Sequence, residues 1–214
     1  MKRALSCLLA VALTALVAKA DSLSGTLTVD NAFTAYLSTS STVTGAQIAS
    51  GDNWNTTSSF SGVSLTPGTT YFLQIDAINF ADGTDGGYQW GAILGDFSLS
   101  GTSFEFSNGS QSLLTETTDW TYSYTGFGQA FLTPHSQGAN GVDPWGTVPG
   151  ISGDALWIWD TNIDYGPEVY FETEITPLAG PGAATPEPES LVLFGSGLLA
   201  FAGIVARRRR AARA

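Results

Sequence analysis

The chain has 214 residues, with 8 Lys or Arg, 19 Asp or Glu and one cysteine. All eight basic residues lie before residue 20 or after residue 206, so the region 21–206 carries a formal charge of −19. That region cannot neutralise phosphates, which argues against nucleic-acid binding, and it has no lysine for Schiff-base chemistry. Anionic polysaccharide could bind it only through a bridging divalent cation, and disulfides cannot stabilise it.

Residues 1–20 have the three parts of a secretory signal peptide. Two basic residues precede an apolar stretch at 4–17, and the small residues Ala18 and Ala20 occupy the positions that a signal peptidase reads. We therefore expect export, with cleavage after Ala20. The alternatives are a retained membrane anchor and a lipoprotein modified at Cys7. The short apolar stretch disfavours the first, and the position of the cysteine disfavours the second.

The region 21–177 is predicted to form one exported β domain. Short runs alternate apolar and polar residues between Gly, Asn, Asp and Ser, and no long segment shows a helical period. The predicted strands are 24–30, 32–38, 69–80, 90–99, 103–106, 120–125, 155–160 and 168–175. About eight strands with such frequent turns predict an all-β fold, either a β-sandwich or a jelly roll.

Three local expectations accompany this fold. Strands 90–99 and 103–106 flank Gly101 and are predicted to pair as a hairpin. In 155–160, the tryptophans at 157 and 159 are expected on one face of a strand. The segment 129–151 is rich in Gly and Pro and is expected to be a long loop.

Four stretches resemble exported bacterial sandwich domains and galactose-binding-like jelly rolls. They are DNAFTAYLS (30–38), SLTPGTTYFLQIDA (64–77), GDFSLSGTSFEFSNGSQSLLTETTDW (95–120) and ALWIWD (155–160). The resemblance implies a β-sandwich. Because these are strand patterns, it implies no catalytic site.

Two oxygen-rich turns are the candidate metal sites. Asp82 and Asp85 lie in the glycine-rich run 82–87, and Asp52 begins the run DNWN at 52–55. Carboxylates on a bent loop can bind calcium, although neither spacing is that of an EF-hand. The alternative is an ordinary acidic turn, since Asp-Gly favours tight hairpins. Calcium is therefore a possible cofactor, and the sequence indicates no other.

The six tryptophans are candidates for stacking on sugar rings or for packing in the core. Trp157 and Trp159 lie in a predicted strand, which favours the core. Trp54 lies in a polar turn and Trp145 in the predicted long loop. These two are therefore the candidate ligand-stacking residues.

Catalysis has little support in the sequence. The only histidine, His135, lies in a predicted loop, and there is no nucleophile elbow or zinc-ligand set. A glycosidase needs two facing carboxylates, which Glu105, Asp119 or Asp160 could supply, but the sequence does not pair them. We therefore expect no enzymatic activity.

The end of the chain has a distinct organisation. A Gly/Ala/Pro linker at 178–185 leads to Pro186, Glu187 and Pro188, and an uncharged stretch follows at 191–206. As a helix this stretch would be about 24 Å long, a short span for a hydrocarbon core about 30 Å thick. The stretch ends at Arg207, Arg208, Arg209 and Arg210, which predict a cytoplasmic C-terminus. A simple tail anchor is the alternative.

Residues 186–214 together resemble the PEP-CTERM sorting signal. The resemblance implies recognition by an exosortase, a membrane-embedded cysteine protease or transpeptidase, in a Gram-negative bacterium that makes extracellular polysaccharide. It also implies a transient inner-membrane anchor, cleavage near Pro186–Pro188, and release or transfer to the cell surface. The two prolines keep the chain extended, as a protease cleft requires.

These observations predict a non-enzymatic exported protein of the cell surface or extracellular matrix. Its expected partners are a signal peptidase and an exosortase, and extracellular polysaccharide is a candidate partner. The alternatives are a carbohydrate-binding module, with or without calcium, and a polysaccharide-acting enzyme.

Overall fold

The computed structural model describes residues 20–81, 90–129, 131–160 and 167–178. Within these ranges the chain forms twelve strands, and one compact unit ends at Leu178. The strands are β1 (Ser22–Asp30), β2 (Ala32–Ser38), β3 (Ala46–Gly51), β4 (Ser58–Ser64), β5 (Tyr71–Ile78), β6 (Ala92–Ser100), β7 (Phe104–Phe106), β8 (Ser112–Leu114), β9 (Thr121–Ser123), β10 (His135–Ala139), β11 (Leu156–Trp159) and β12 (Glu168–Pro177). The described ranges contain no helix long and apolar enough to cross a bilayer. Residues 1–19 of the predicted signal peptide 1–20, the linker after Leu178 and the predicted sorting signal 186–214 lie outside them.

The strands form two antiparallel sheets. Sheet A has the order β10-β11-β6-β1-β4, with β8 also pairing with β6. Sheet B has the order β3-β2-β5-β12-β7, with β9 also pairing with β12. The predicted all-β sandwich is therefore confirmed at the level of two facing antiparallel sheets, and the likeness to galactose-binding domains stays a prediction.

The two sheets share one apolar core. Alternate residues of each strand point inward, so Leu27 and Phe97 of sheet A lie in one buried cluster with Ile75 and Phe171 of sheet B. Gly25 makes room for this packing, because a Cβ there would lie 2.5 Å from the Phe97 ring. Burial of each large side chain contributes about 1.5–3 kcal/mol. The aromatic core can thus stabilise a domain that has no disulfides.

Irregular strands close the same side of both sheets. Sheet A ends at β4, whose pairing with β1 shifts between Leu23 and Gly25, and sheet B ends at β3, whose pairing with β2 shifts between Ala35 and Tyr36. Proteins commonly protect edge strands from aggregation with lysine or with bulges. This domain has no lysine, so the bulges are the protection that it has.

The predicted hairpin across Gly101 is wrong. β6 pairs with β1 in sheet A, whereas β7 pairs with β12 in sheet B. The turn at Gly101, where φ is +93°, carries the chain from one sheet to the other. The alternation that identifies a strand does not identify its partner, because either sheet can bury the same apolar face.

The expectation for the two tryptophans of β11 is also wrong. Trp159 lies in the core between the sheets, with its ring 5.7 Å from that of Phe171, whereas Trp157 belongs to a second cluster. Both are fully buried, as the core interpretation predicted. Trp159 is the last residue of β11. The regular alternation of side chains between the two faces of the sheet stops there. The predicted loop 129–151 likewise contains a strand, β10.

Candidate functional site

A second apolar cluster covers the outer face of sheet A, which is the face turned away from sheet B. It is formed by side chains of β6 and β11 together with residues of the segment that connects β10 and β11. Its buried members are Ala92, Leu94, Trp145, Val148, Ile151, Ala155 and Trp157. The connecting segment is therefore packed as part of the domain.

Asn140 fixes the path of this segment. Its Nδ2 donates hydrogen bonds to the carbonyl oxygens of Val148 (3.0 Å), Ile151 (3.0 Å) and Ser152 (3.3 Å). Its Oδ1 accepts a hydrogen bond of 2.8 Å from the backbone N–H of Val148. One side chain thus satisfies four backbone groups that a loop lying on a sheet would otherwise bury without partners.

The structure brings both candidate sugar-stacking tryptophans to this cluster. Trp145 is only 4% exposed, with its ring stacked on Trp157 at a centroid distance of 4.6 Å. Its Nε1 donates a hydrogen bond of 2.8 Å to Oδ2 of Asp30. Trp54 is partly buried against the same cluster, whereas Trp90 is 46% exposed and meets Trp145 edge-on. This geometry packs Trp145 into the cluster and leaves little of its ring open to a ligand.

Among the described residues, the structure shows no metal-ligand geometry at the candidate metal sites. Asp52 is exposed in the turn between β3 and β4, and no three His, Cys, Asp or Glu side chains of the described residues come together as metal ligands. Asp82 and Asp85 lie outside the described residues. Calcium binding therefore stays a prediction.

A groove of about 350 Å³ lies on the outer face of sheet B. It combines aromatic rings, hydroxyl groups and carboxylates on β5, β9, β12 and the neighbouring loops. Its lining residues are Ser41, Phe72, Ser107, Thr118, Asp119, Thr121, Phe131, Glu172, Thr173 and Glu174. Phe131 is 41% exposed, so one large ring is open to a ligand.

Buried polar side chains support this groove. Glu172 is only 4% exposed, and its Oε2 accepts a hydrogen bond of 3.0 Å from Nε2 of Gln74, which is fully buried. The same Nε2 also donates to the carbonyl oxygens of Ser40 and Ser41. Gln74 therefore holds the segment between β2 and β3 against the sheet and links it to Glu172.

The environment of Glu172 favours its neutral form. Burial raises its pKa to about 7, and the charge of Glu174 acts in the same direction, against the lowering effect of the Gln74 hydrogen bond. Asp76 lies on the same outer face, and burial raises its pKa to about 6. The charge of Glu168 and a hydrogen bond with Glu168 act in the same direction. These two carboxyl groups therefore gain their charges near neutral pH.

The chemistry of the groove restricts its ligands. The region 21–206 contains no Lys or Arg, and three carboxyl groups line the groove, so an anion would be repelled. Exposed aromatic carbon beside hydroxyl and carboxyl oxygens suits a neutral or amine-bearing polar ligand. Of the carboxylates considered for catalysis, Asp119 lines this groove, whereas Glu105 and Asp160 do not.

Sequence reasoning did not identify this groove. Four of its lining residues, Phe72, Phe131, Glu172 and Glu174, come from two strands and a loop distant in sequence. The outward position of the two glutamates was predictable from strand alternation. The aromatic neighbours that make them part of a groove were not.

Comparison with known proteins identifies the C-terminal segment. Residues 184–210 match the family model of the PEP-CTERM protein-sorting motif. No curated protein and no solved structure gives a significant match to the chain. The motif marks an exported protein that carries a C-terminal membrane-anchoring signal until an exosortase processes it. The predicted sorting signal, with Pro186, Glu187 and Pro188 inside the matched range, is confirmed.

Proposed function

We propose that the domain 21–177 acts outside the cell as a non-catalytic component of the surface or of the extracellular matrix. A signal peptidase removes 1–20, and an exosortase removes the tail near Pro186–Pro188. The match of 184–210 to the sorting motif is the observation that carries this proposal.

The charge distribution supports the same proposal. Every Lys and Arg of the chain lies in the two segments that processing would remove, and so does the only cysteine. The remaining domain has a core between two sheets and a second cluster on the outer face of sheet A. A high net negative charge favours solubility outside the cell, and the apolar core can stabilise the domain without disulfides.

Intact mass of the protein exported by an exosortase-containing host tests the processing. We expect an N-terminus at Asp21 and a C-terminus near residues 186–188. Trypsin has no cleavage site between Lys19 and Arg207, so the processed chain should resist it, and a protease specific for acidic residues is needed for mapping. A chain that still ends at Ala214 would contradict the proposal.

A matched pair of proline variants makes this test specific. Pro186→Ala combined with Pro188→Ala should leave the full tail on the protein and retain it in the membrane fraction. Pro181→Ala changes a proline outside the matched segment 184–210 and should be processed like the natural chain. Equal processing of both variants would show that the motif does not direct the cleavage.

The groove favours glycan binding as a second candidate function. We propose that it binds a neutral or amino-sugar glycan, because the exposed ring of Phe131 can stack on a sugar while Asp119 and Glu174 bind its hydroxyl or ammonium groups. This groove takes the place of Trp145 as the proposed stacking site.

Binding to an array of neutral, amino-sugar and anionic glycans tests this second function. Phe131→Ala should weaken binding about tenfold, the effect of roughly 1.4 kcal/mol, whereas Leu132→Ala changes an exposed neighbour and should not. Measurement with calcium and with a chelator decides whether calcium, for which Asp52, Asp82 and Asp85 are the candidate ligands, assists binding. Absence of binding in both conditions would exclude the proposal, and release of shorter glycans would favour the enzyme alternative.

A further inference from the structure

One short loop, residues 101–103, holds both ends of the folded domain. At the N-terminal end of the domain, Oδ1 of Asp21 accepts hydrogen bonds from the backbone N–H groups of Thr102 (3.1 Å) and Ser103 (3.2 Å). At its C-terminal end, the backbone N–H of Leu178 donates a hydrogen bond of 2.8 Å to the carbonyl oxygen of Ser103. We call Asp21, the loop 101–103 and Leu178 the terminal clamp.

The clamp is tightly built around Asp21. This residue is only 8% exposed, and its carbonyl oxygen accepts a hydrogen bond of 3.0 Å from Leu65 N–H. Gly101 has φ of +93°, and a Cβ there would lie 1.9 Å from Oδ1 of Asp21, so only glycine fits. The first residue after the predicted signal cleavage is thus already bound into the fold.

The C-terminal side of the clamp is the end of β12. Pro177 pairs with Phe104 and Thr176 with Glu105, so the strand remains paired up to the residue before Leu178. Seven residues, 179–185, separate the clamp from Pro186 in the sequence. Seven residues reach at most about 25 Å when fully extended.

We propose that the terminal clamp sets the length of chain available to the exosortase. Residues up to Leu178 stay bound in the folded domain. The exosortase must therefore cleave the chain within the distance that residues 179–185 can span. This inference rests on the proposed processing at Pro186–Pro188. The proposal assigns Asp21 a positioning role. Asp21 acts through the loop 101–103 on Leu178, where the chain leaves the domain, and it does not contact the bond that is cleaved.

Pulse-chase processing of the full chain in an exosortase-containing host tests the proposal. Deletion of 179–182 leaves three residues before Pro186 and should slow tail cleavage at least about fivefold, because more than half of the reach is lost. Replacement of 179–182 by Ser-Gly-Ser-Gly keeps the length and should be processed like the natural chain. Cleavage of the deletion variant at the natural rate would overturn the proposal.

A rescue experiment tests the role of the clamp itself. Asp21→Ala added to the deletion should restore much of the cleavage, because loss of the clamp lets the end of β12 fray and lengthens the tether. Asp21→Asn keeps an acceptor oxygen and should not restore it. Failure of Asp21→Ala to rescue, or rescue by both variants alike, would overturn the assignment.

Amide hydrogen exchange separates this proposal from the proposed function. In the purified full chain, Asp21→Ala should increase exchange at Thr102, Ser103 and Leu178, while the amides of central β6 keep their protection. Unchanged exchange at Leu178 would show that the clamp does not hold the C-terminal exit. If the natural chain is not cleaved at all, the proposed processing fails, whereas the exchange result still decides whether the clamp exists.

Discussion

Trp145→Ala is expected to lower the free energy of unfolding by about 3–5 kcal/mol, the cost of a large cavity in a packed cluster. The indole ring is stacked on Trp157, and only 4% of the residue is exposed. Its Nε1 is also a hydrogen-bond donor to Oδ2 of Asp30. The variant would therefore lose ring packing and a hydrogen bond to a carboxylate together. Urea denaturation followed by circular dichroism measures the change.

Two further variants separate packing from ligand binding. Trp145→Phe keeps a ring but loses the N–H, and should cost about 1–2 kcal/mol for the missing hydrogen bond. Trp90→Ala removes a ring that is 46% exposed and should cost less than about 1 kcal/mol. A loss below 1 kcal/mol in Trp145→Ala, together with weaker glycan binding, would restore this tryptophan as a ligand residue.

Trp145 shows why the environment of a loop residue is hard to predict from the sequence. Gly and Pro around it indicate a loop, and loops usually lie exposed on the surface. Here the carboxamide of Asn140 satisfies four backbone groups of the same segment and allows it to lie flat on sheet A. Nothing in the spacing of these residues indicates that contact.

The strands were predictable to the extent that period-two alternation determines them. In the predicted strand 69–80, alternation places Tyr71, Leu73, Ile75 and Ala77 on one face, and all four are buried in the core. The partners of each strand depend instead on contacts between distant segments. The sequence around Gly101 therefore predicts a hairpin, whereas the turn connects the two sheets in the structure.

The sorting segment and the groove differ in how far sequence alone identifies them. The sorting motif is a linear signal, so the order of prolines, apolar stretch and arginines is sufficient to recognise it. The groove needs Phe72 on β5, Glu172 on β12 and Phe131 in a loop to meet in space. Alternation in 168–175 places Glu172 on the face opposite Phe171, but it does not show which residues meet Glu172 there.

The burial of Glu172 predicts that the domain loses stability as the pH rises. In the folded domain its pKa is about 7, against 4.5 in the unfolded chain, so the folded state binds more protons between these values. Stability is therefore at its full value below about pH 4.5 and falls as the pH rises to about 7. The expected loss from this group is on the order of 2–3 kcal/mol. Asp76 should add a smaller loss between about pH 4 and 6.

Glu172→Gln should remove most of this pH dependence. The glutamine side chain is uncharged at every pH and still offers an acceptor oxygen to Nε2 of Gln74. The variant should therefore match the natural domain at pH 4 and exceed its stability at pH 8 by about 2 kcal/mol. Denaturant titrations at the two pH values measure the difference.

Neutralisation of an exposed carboxylate distinguishes burial from the overall negative charge of the domain. Asp154→Asn removes one exposed charge from the loop before β11, so it should change stability at pH 8 by less than about 0.5 kcal/mol. If both variants gained equally at pH 8, general charge repulsion would be the cause rather than the desolvation of Glu172. A Glu172→Gln curve parallel to that of the natural domain would show that Glu172 is charged in the folded state well below pH 7. That result would contradict the effect that we expect from its burial.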